Sequence, residues 1–506
     1  MRAHTVTGAP RICVSLAPSS RQELATWSAS SASVAGTDMV ELRLDTIQPP
    51  LRPAEVGPLL ALFDLPLIAT CRMTAEGGAW SAGEGERVAL LRACLAAGAT
   101  YVDVESDAAA CEELLAANAD RLVVSKHWPG PPSSAQLQHC VARLLERRPG
   151  AAKLVVAIER VDEAIPVLQA AEALRSAGVA TTAFVMGEAS AAGRLLAAAR
   201  GDAWIYARAP LGAATAAGQW SAARLRDQLV VPRWDASFAR FAVIGDPVRQ
   251  SLSPVIFNAA FAAAGREALY VPLPGDRFDE VLRLAEHSEV RGLSVTMPFK
   301  REAMDAAVTL TDAARSIGAA NTLRFEDGAW QAHNTDGEGL LAALAPHVDV
   351  AGRRVAVLGA GGAARAAAVS LRDAGAQVTL YARDAGRASS VAKDIQCRGR
   401  RLSDYGPGGA EVVINATPVG MAATDETLIP TADLQGEELV LDMIYRPTMT
   451  RFLRGARERG CTAVSGLEMF LEQAAAQHRW WFEEAPIKGV MRRAAAVQLE
   501  AERERA

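Results

Sequence analysis

Lys153 stands at the head of an apolar run, Leu154-Val155-Val156-Ala157-Ile158, in the stretch GAAKLVVAIER. Such a run reads as a strand buried on both faces. An unpaired ammonium is costly there, so a lysine at that position needs a task. The chemistry that suits it is imine formation, in which a neutral amine attacks a carbonyl carbon. Burial and adjacent arginines would both disfavour the charged form, as a nucleophilic amine requires. Further polar residues fall mainly at the ends of neighbouring apolar runs: Ser15, Glu41 with Arg43, Arg72 with Glu76 four residues on, and His127. Arg194, Thr215 and Gln219 follow two later runs. Three arginines at one mouth suit a carboxylate or another anion. The alternative for any single arginine is a surface salt bridge, and for His127, next to Trp128-Pro129, a structural role.

A second constellation lies in GDPVRQSLSPVIFN, VTMPFKREA, GAANTL and HNTDGEGL, which carry Ser251, Ser253, Thr296, Lys300, Asn321, Thr335 and Asp336. Each is a short polar group near an apolar strand, where loops present functional residues. Taken singly, Ser253-Pro254 could open a helix and Asn-Thr-Asp could form a turn. RRVAVLGAGGAARAAAVSL (353–371) reads as strand, glycine turn and helix, with Gly359, Gly361 and Ala364 fitting G-x-G-x-x-G/A. That pattern lets a pyrophosphate approach a helix N-terminus. Arg383 and Arg387 follow the next strand, spaced to meet a 2′-phosphate. They favour NADP(H) over NAD(H), although Asp384 beside them is the residue type that holds an unphosphorylated ribose.

The elements that must position these groups come in two series. Eight apolar runs occupy the first 230 residues: 12–17, 39–44, 66–71, 101–106, 121–126, 153–158, 181–186 and 203–208. Alanine- and leucine-rich helical segments separate them. This is the pattern of a (β/α)8 barrel, whose functional residues gather at the C-terminal ends of its strands. Lys153 sits at the start of its run, so either that strand begins earlier or the side chain climbs the interior. A break follows at 231–239. Further strands are expected from 241, at 268–274 and 292–298, then at 353–359, 377–383, 411–417, 438–445 and 462–466, before a long helical tail.

Composition narrows the function. The chain has 506 residues and a net charge of −5, which leaves no basic footprint for nucleic acid or an anionic membrane. Its seven cysteines include no C-x-x-C pair, which argues against a disulfide framework or a zinc site and for a reducing compartment. With no apolar span of membrane length, a soluble cytoplasmic protein acting on small molecules is expected, with no metal. Oligomeric state is not legible.

The pieces S-x-S-P, V-T-x-P-F-K, G-A-x-N-T, N-T-D-G, G-A-G-G-A, I-N-A-T-P and S-G-L-E-M-F-x-x-Q-A resemble the shikimate dehydrogenase family over about 240–490. The resemblance implies that Ser251, Ser253, Thr296, Asn321, Asp336, Tyr445 and Gln473 bind the substrate and that Lys300 and Asp336 form the catalytic pair. It also implies that Gly359, Ala360, Gly361, Gly362, Ala363, Arg383, Arg387, Met443 and Gly466 bind NADP(H). The pieces G-A-P-R-I-C-V-S, E-L-R-L-D, T-C-R-M-T-A-E-G-G, V-S-K-H and K-L-V-V-A resemble type I 3-dehydroquinate dehydratase over about 8–225. That resemblance implies an imine at Lys153, proton transfer by His127 assisted by Glu76, and substrate binding by Ser15, Glu41, Arg43, Arg72, Arg194, Thr215 and Gln219. The two families catalyse consecutive steps, so the whole is similar to a bifunctional enzyme of aromatic amino-acid biosynthesis.

The expected architecture is α/β. A barrel spans 8–230 and a linker 231–239. A substrate domain spans 240–338, completed by helices at 467–506, and a Rossmann domain spans 339–466. Three other readings stay open: a quinate- or shikimate-active catabolic dehydrogenase, a sensor without turnover, and an aldolase-like barrel. The first differs in substrate alone, the second would not need the two lysines, and the third is not matched by the motifs around Lys153.

Overall fold

The computed structural model describes residues 9–28, 34–209, 218–421 and 427–503. Two compact units result, divided within the segment 243–290.

All eight expected strands of the first half form: β1 (Arg11–Leu16), β2 (Met39–Arg43), β3 (Leu67–Thr70), β4 (Tyr101–Glu105), β5 (Leu122–Trp128), β6 (Ala151–Ala157), β7 (Thr181–Met186) and β8 (Trp204–Ala207). They make one parallel sheet in the order β7-β6-β5-β4-β3-β2-β1-β8. The ends of the sheet meet where the Ala203 N–H donates to the Thr181 carbonyl at 2.8 Å and the Thr182 hydroxyl donates to the Trp204 carbonyl at 2.7 Å. A barrel nearly closed in this way leaves little free strand edge.

Alternation along the strands explains its interior. Successive strand residues face opposite sides, so Met39, Glu41 and Arg43 share one face, as do Val123, Ser125 and His127, and Ala151, Lys153 and Val155. The lower layer is apolar, with Cys13, Met39, Ile68, Val123, Ala151 and Trp204 packed together. The polar residues lie one step further along each strand. β6 begins two residues before the apolar run that Lys153 heads, so the lysine lies within the strand. Lys153 stands level with Ser125, and His127 lies two residues nearer the C-terminal end of its own strand.

The next sheet contains β9 (Ala239–Gly245), β10 (Ala268–Pro274), β11 (Val290–Val295), β12 (Thr309–Leu310), β13 (Thr322–Glu326) and β14 (Ala329–His333), in the order β10-β9-β11-β13-β14-β12. β12, β13 and β14 were not among the expected strands. β13 and β14 form a hairpin through Asp327-Gly328, both at positive φ (52° and 80°). That is the two-residue turn an Asp-Gly pair favours, because its twist matches the flanking strands. In the expected linker, Val231 and Trp234 are buried.

The last sheet contains β15 (Arg354–Leu358), β16 (Gln377–Ala382), β17 (Arg398–Arg401), β18 (Val412–Asn415), β19 (Leu439–Asp442) and β20 (Thr462–Ser465). It is parallel throughout, in the order β17-β16-β15-β18-β19-β20, the strand order of a doubly wound dinucleotide-binding sheet. Val355 and Val357 pack into one core while Ala356 and Leu358 pack into another. A sheet covered on both faces needs such continuous apolar strands. β17 was not expected, since its sequence RGRR is an edge strand without an apolar signal.

Candidate active sites

Lys153 is buried, and its Nζ donates to Glu41 Oε1 at 2.8 Å and to Asp103 Oδ2 at 3.1 Å. It also lies 4.6 Å from the centre of the Tyr206 ring. Glu41 accepts a further bond from the Thr70 hydroxyl at 2.9 Å. Arg72 donates to Ser125 Oγ at 2.7 Å and Asp103 Oδ2 at 2.8 Å, and approaches Glu105 at 3.2 Å. Glu105 in turn accepts from Arg87 at 2.7 Å. Three buried cations, Lys153, Arg72 and Arg87, thus face three buried carboxylates, Glu41, Asp103 and Glu105. Buried charge is tolerated when it is matched and hydrogen-bonded in this way.

The expectation that arginines press on Lys153 needs correcting. Its direct partners are carboxylates, while Arg72 is held by Asp103 and Glu105, and Arg43 by a bidentate bond to Asp45 at 2.9 and 2.7 Å. Burial opposes ionisation of Asp103 and Glu41. For Asp103, the charges of Arg72 and Lys153 outweigh burial and hold the carboxyl well below its ordinary range. For Glu41, the charge of Lys153 does the same, though less strongly.

His127 ends this polar ring. Its Nδ1 lies 3.0 Å from Glu76 Oε2, and the same oxygen accepts the His127 backbone N–H at 3.0 Å. Burial, and then the positive charges of Arg72 and Lys153, push the imidazole well below its ordinary pKa. His127 is therefore neutral near pH 7, the form a general base needs. Glu76 belongs to a single turn, Thr74–Glu76, and burial pushes its carboxyl up.

Arg194 differs from the other two arginines. It lies in a helix, Ser190–Ala199, whose ten residues are all buried. Its guanidinium stacks 4.6 Å from the Phe184 ring, and none of its three nitrogens has a hydrogen-bond partner among the described residues. Burial pulls its pKa down to about 9. Of the three expected arginines, this is the one whose guanidinium has no hydrogen-bond partner among the described residues. Ser15 is buried in register with Glu41, Gln219 is half-buried, and Thr215 lies outside the described residues. Sequence reasoning missed Asp103, Glu105, Ser125 and Tyr206. The signal for the first two was present in YVDVES, where two acids alternate within an apolar strand.

In the second constellation, Lys300 Nζ donates to Asp336 Oδ2 at 2.5 Å. The Asn321 side-chain amide donates to Asp336 Oδ1 at 2.8 Å and to the Thr335 hydroxyl at 3.0 Å, and lies 3.4 Å from Gln473 Oε1. The β13–β14 hairpin causes this meeting. Asn321 precedes β13 and Asp336 follows β14, and the Asn321 N–H bonds the His333 carbonyl at 3.1 Å. Gln477, also missed, ties helix Gly466–Phe482 to the same place, accepting from Ser294 at 2.6 Å and donating to the Asn321 carbonyl at 3.1 Å. Ser251 and Ser253 bond each other at 3.1 Å. Thr296 is half-buried beyond β11, and Tyr445 stacks on Phe470 at 4.8 Å.

The glycine turn is built for close approach. Gly359 has φ +128°, and a side chain there would lie 3.0 Å from the Ala416 carbonyl oxygen and from Thr417 Cγ2. At Gly361 and Gly362, which open the helix Gly362–Asp373, a methyl group would meet nothing within 4 Å. The open space before a helix N-terminus suits a pyrophosphate. Arg387 Nε donates to the Ala360 carbonyl at 3.2 Å, bringing two expected cofactor residues together, and Arg383 is exposed. Asp384 caps the next helix, accepting the Arg387 N–H at 3.0 Å. That role accounts for an acid beside the two arginines. Gly466 packs against Met443, where a Cβ would come within 2.5 Å of the Met443 carbonyl group. The dinucleotide motif thus has the shape that NADP(H) requires. Among the described residues no cluster could hold a metal ion, and no helix is long and apolar enough to cross a membrane.

The type I 3-dehydroquinase family model matches residues 12–233. The shikimate dehydrogenase substrate-binding domain model matches 243–323, and an NAD(P)-binding model matches 347–440. A bifunctional 3-dehydroquinate dehydratase/shikimate dehydrogenase of Arabidopsis thaliana, described as chloroplastic, is 32% identical over 474 residues, covering 88% of this chain and 78% of the relative. A shikimate dehydrogenase (NADP(+)) of Caulobacter vibrioides is 41% identical over 273 residues, 51% of this chain and 94% of its own. The crystal structure of shikimate dehydrogenase from Aquifex aeolicus, 31% identical, covers 52% of this chain and 98% of its own with a TM-score of 0.50. Another shikimate dehydrogenase, solved in complex with NADP+, gives 0.51 at 31% identity, covering 52% of this chain and 97% of its own. With two sets of motifs, two matching architectures and one relative aligned across both halves, the chain belongs to the bifunctional 3-dehydroquinate dehydratase/shikimate dehydrogenase family.

Proposed function

We propose that the barrel dehydrates 3-dehydroquinate to 3-dehydroshikimate and that the second half reduces 3-dehydroshikimate to shikimate with NADPH. The observation that carries the reading is a buried lysine inside a charge-balanced barrel, with a neutral imidazole–carboxylate pair two residues above its level on the adjacent strand. The domains are assigned as 8–230 for the barrel, 231–239 for the linker, 240–338 with 467–506 for the substrate domain and 339–466 for the cofactor domain. The seven free cysteines suit a reducing compartment such as the cytoplasm.

In the barrel, the Lys153 amine adds to the C3 ketone and water leaves, forming an iminium. This electron sink acidifies the C2 proton. His127 removes it; because Nδ1 is bound to Glu76, Nε2 is the nitrogen that takes the proton. The resulting enamine expels the C1 hydroxyl, which takes the same proton from His127 and departs as water. Hydrolysis of the conjugated iminium releases the product and restores the amine, for a net loss of one water. Arg194 offers its vacant guanidinium to the substrate carboxylate, and Ser15, Glu41, Arg43, Arg72, Thr215 and Gln219 bind the remaining oxygens.

In the second half, Gly359 to Ala363, Arg383, Arg387, Met443 and Gly466 hold the cofactor. NADPH supplies a hydride when bound. The ketone becomes an alkoxide, which Lys300 stabilises and protonates. Asp336 holds Lys300 in place and, with Asn321, receives a ring hydroxyl. Ser251, Ser253, Thr296, Tyr445 and Gln473 complete the substrate contacts.

The test supplies 3-dehydroquinate alone and follows NADPH absorbance. Consumption requires both sites in series and is the expected result. A chain that binds 3-dehydroquinate without turnover is a sensor and overturns the proposal. Parallel assays with NADH and quinate test the cofactor and substrate assignments.

A further inference from the structure

Lys126 immediately precedes His127 on β5, so the two side chains leave opposite faces of the strand. Its ammonium nevertheless reaches the catalytic cluster from outside. Nζ donates to Glu76 Oε1 at 2.8 Å and lies 2.9 Å from Asp107 Oδ2. The Glu76 carboxylate is thereby divided. Oε2 takes the ring and backbone nitrogens of His127, and Oε1 belongs to Lys126. Lys126 also links three segments: the turn carrying Glu76, the loop after β4 carrying Asp107, and β5 itself.

We propose that Lys126 is a positioning residue for dehydration, holding the Glu76 carboxylate in the charge state and orientation that His127 requires. The inference rests on the dehydration reading above. The other charges facing Glu76 are Arg72, just after β3, and Glu105 from β4. Those facing Lys126 are Glu76 and Asp107, and Asp107 is itself bonded by Arg143 at 2.8 Å. Burial pushes the Glu76 carboxyl up, and the Lys126 hydrogen bond and charge are the strongest opposing influences. Without the ammonium, Glu76 takes up a proton at higher pH. A protonated Glu76 is a poor acceptor for the Nδ1 proton, and the imidazolium formed after proton abstraction loses its counter-charge.

Lys126→Met, Lys126→Gln and Lys126→Arg in the full chain separate charge from packing. The Met variant is expected to lose roughly tenfold in kcat on the acid side of the profile, with KM little changed, and to approach the wild-type rate at alkaline pH as Glu76 ionises unaided. Gln keeps the reach and a donor but not the charge, and is expected to behave like Met; Arg restores the rate. Borohydride trapping of 3-dehydroquinate on Lys153 persists in the Met and Gln variants, because imine formation does not use Glu76, and it reports a folded barrel. Rescue by Gln, a loss equal at all pH values, or an unmoved acid limb overturns the proposal. Should the Met variant give no adduct, Gln against Arg decides on the same criteria. A wild-type chain with neither turnover nor adduct would overturn the dehydration reading itself.

Discussion

The barrel and the dehydrogenase-like half each place a lysine against a carboxylate, and they do so in opposite settings. Lys153 has 4% of its side chain exposed, lies inside a ring of strands and faces two carboxylates within a balanced set of six buried charges. Lys300 has 19% exposed, stands at the head of a short helix and faces one carboxylate whose other oxygen is held by a neutral amide. The difference fits the two tasks proposed for them. An amine that forms a covalent bond must be fixed and shielded so that its intermediate is not lost to water. A proton donor must recover its proton after each turnover, which favours partial access to solvent.

The comparison breaks most sharply at Lys153. Lys153→Ala should lower dehydration by about 10⁴-fold or more and abolish the borohydride-trapped adduct, while shikimate oxidation continues. Equal loss of both activities would mean that the halves are not independent. The next effect is on stability. Asp103→Ala leaves Lys153 and Arg72 without their shared partner, and breaking a buried pair costs about 3–5 kcal/mol. Hydrogen exchange should show β4 to β6 opening while β15 to β19 stay protected.

Acid should act on the same strands. Asp103 and Glu41 are held below their unfolded values, so their stabilisation is complete above about pH 5 and is lost progressively as pH falls further. Barrel strands that became better protected on acidification would contradict the charge-ring account. The smallest effect is at Lys300, where Lys300→Ala should slow shikimate oxidation by about 10²-fold, with dehydration within about twofold of wild type. A fall in dehydration to match would erase the contrast between the sites.

Legibility in the sequence followed how local each feature is. The eight barrel strands and the glycine turn were readable because buried parallel strands are short apolar runs bounded by turns. β13 and β14 were overlooked although Asp327-Gly328 marks their hairpin, because Thr322-Leu323-Arg324-Phe325-Glu326 is half polar. β17, RGRR, carries no apolar signal at all, since pairing with β16 alone makes it a strand. Lys153 and His127 stood out as chemistry-bearing residues beside apolar runs. Asp103 and Glu105 alternate within an apolar strand, but that pattern does not show which charges they face.

The sequence by itself determined the order of motifs, the two families they resemble and the residues able to do chemistry, because these depend on residue type and short spacing. Only the tertiary structure decided which charges meet. Glu41 lies 112 positions from Lys153 and Asp103 lies 50, yet both bond its ammonium. Barrel closure brings equivalent positions of separate strands to one height, and a linear pattern holds no record of that height. The same closure seats Arg72 among carboxylates, leaves Arg194 without a hydrogen-bond partner among the described residues and brings Lys126 to the outer oxygen of Glu76.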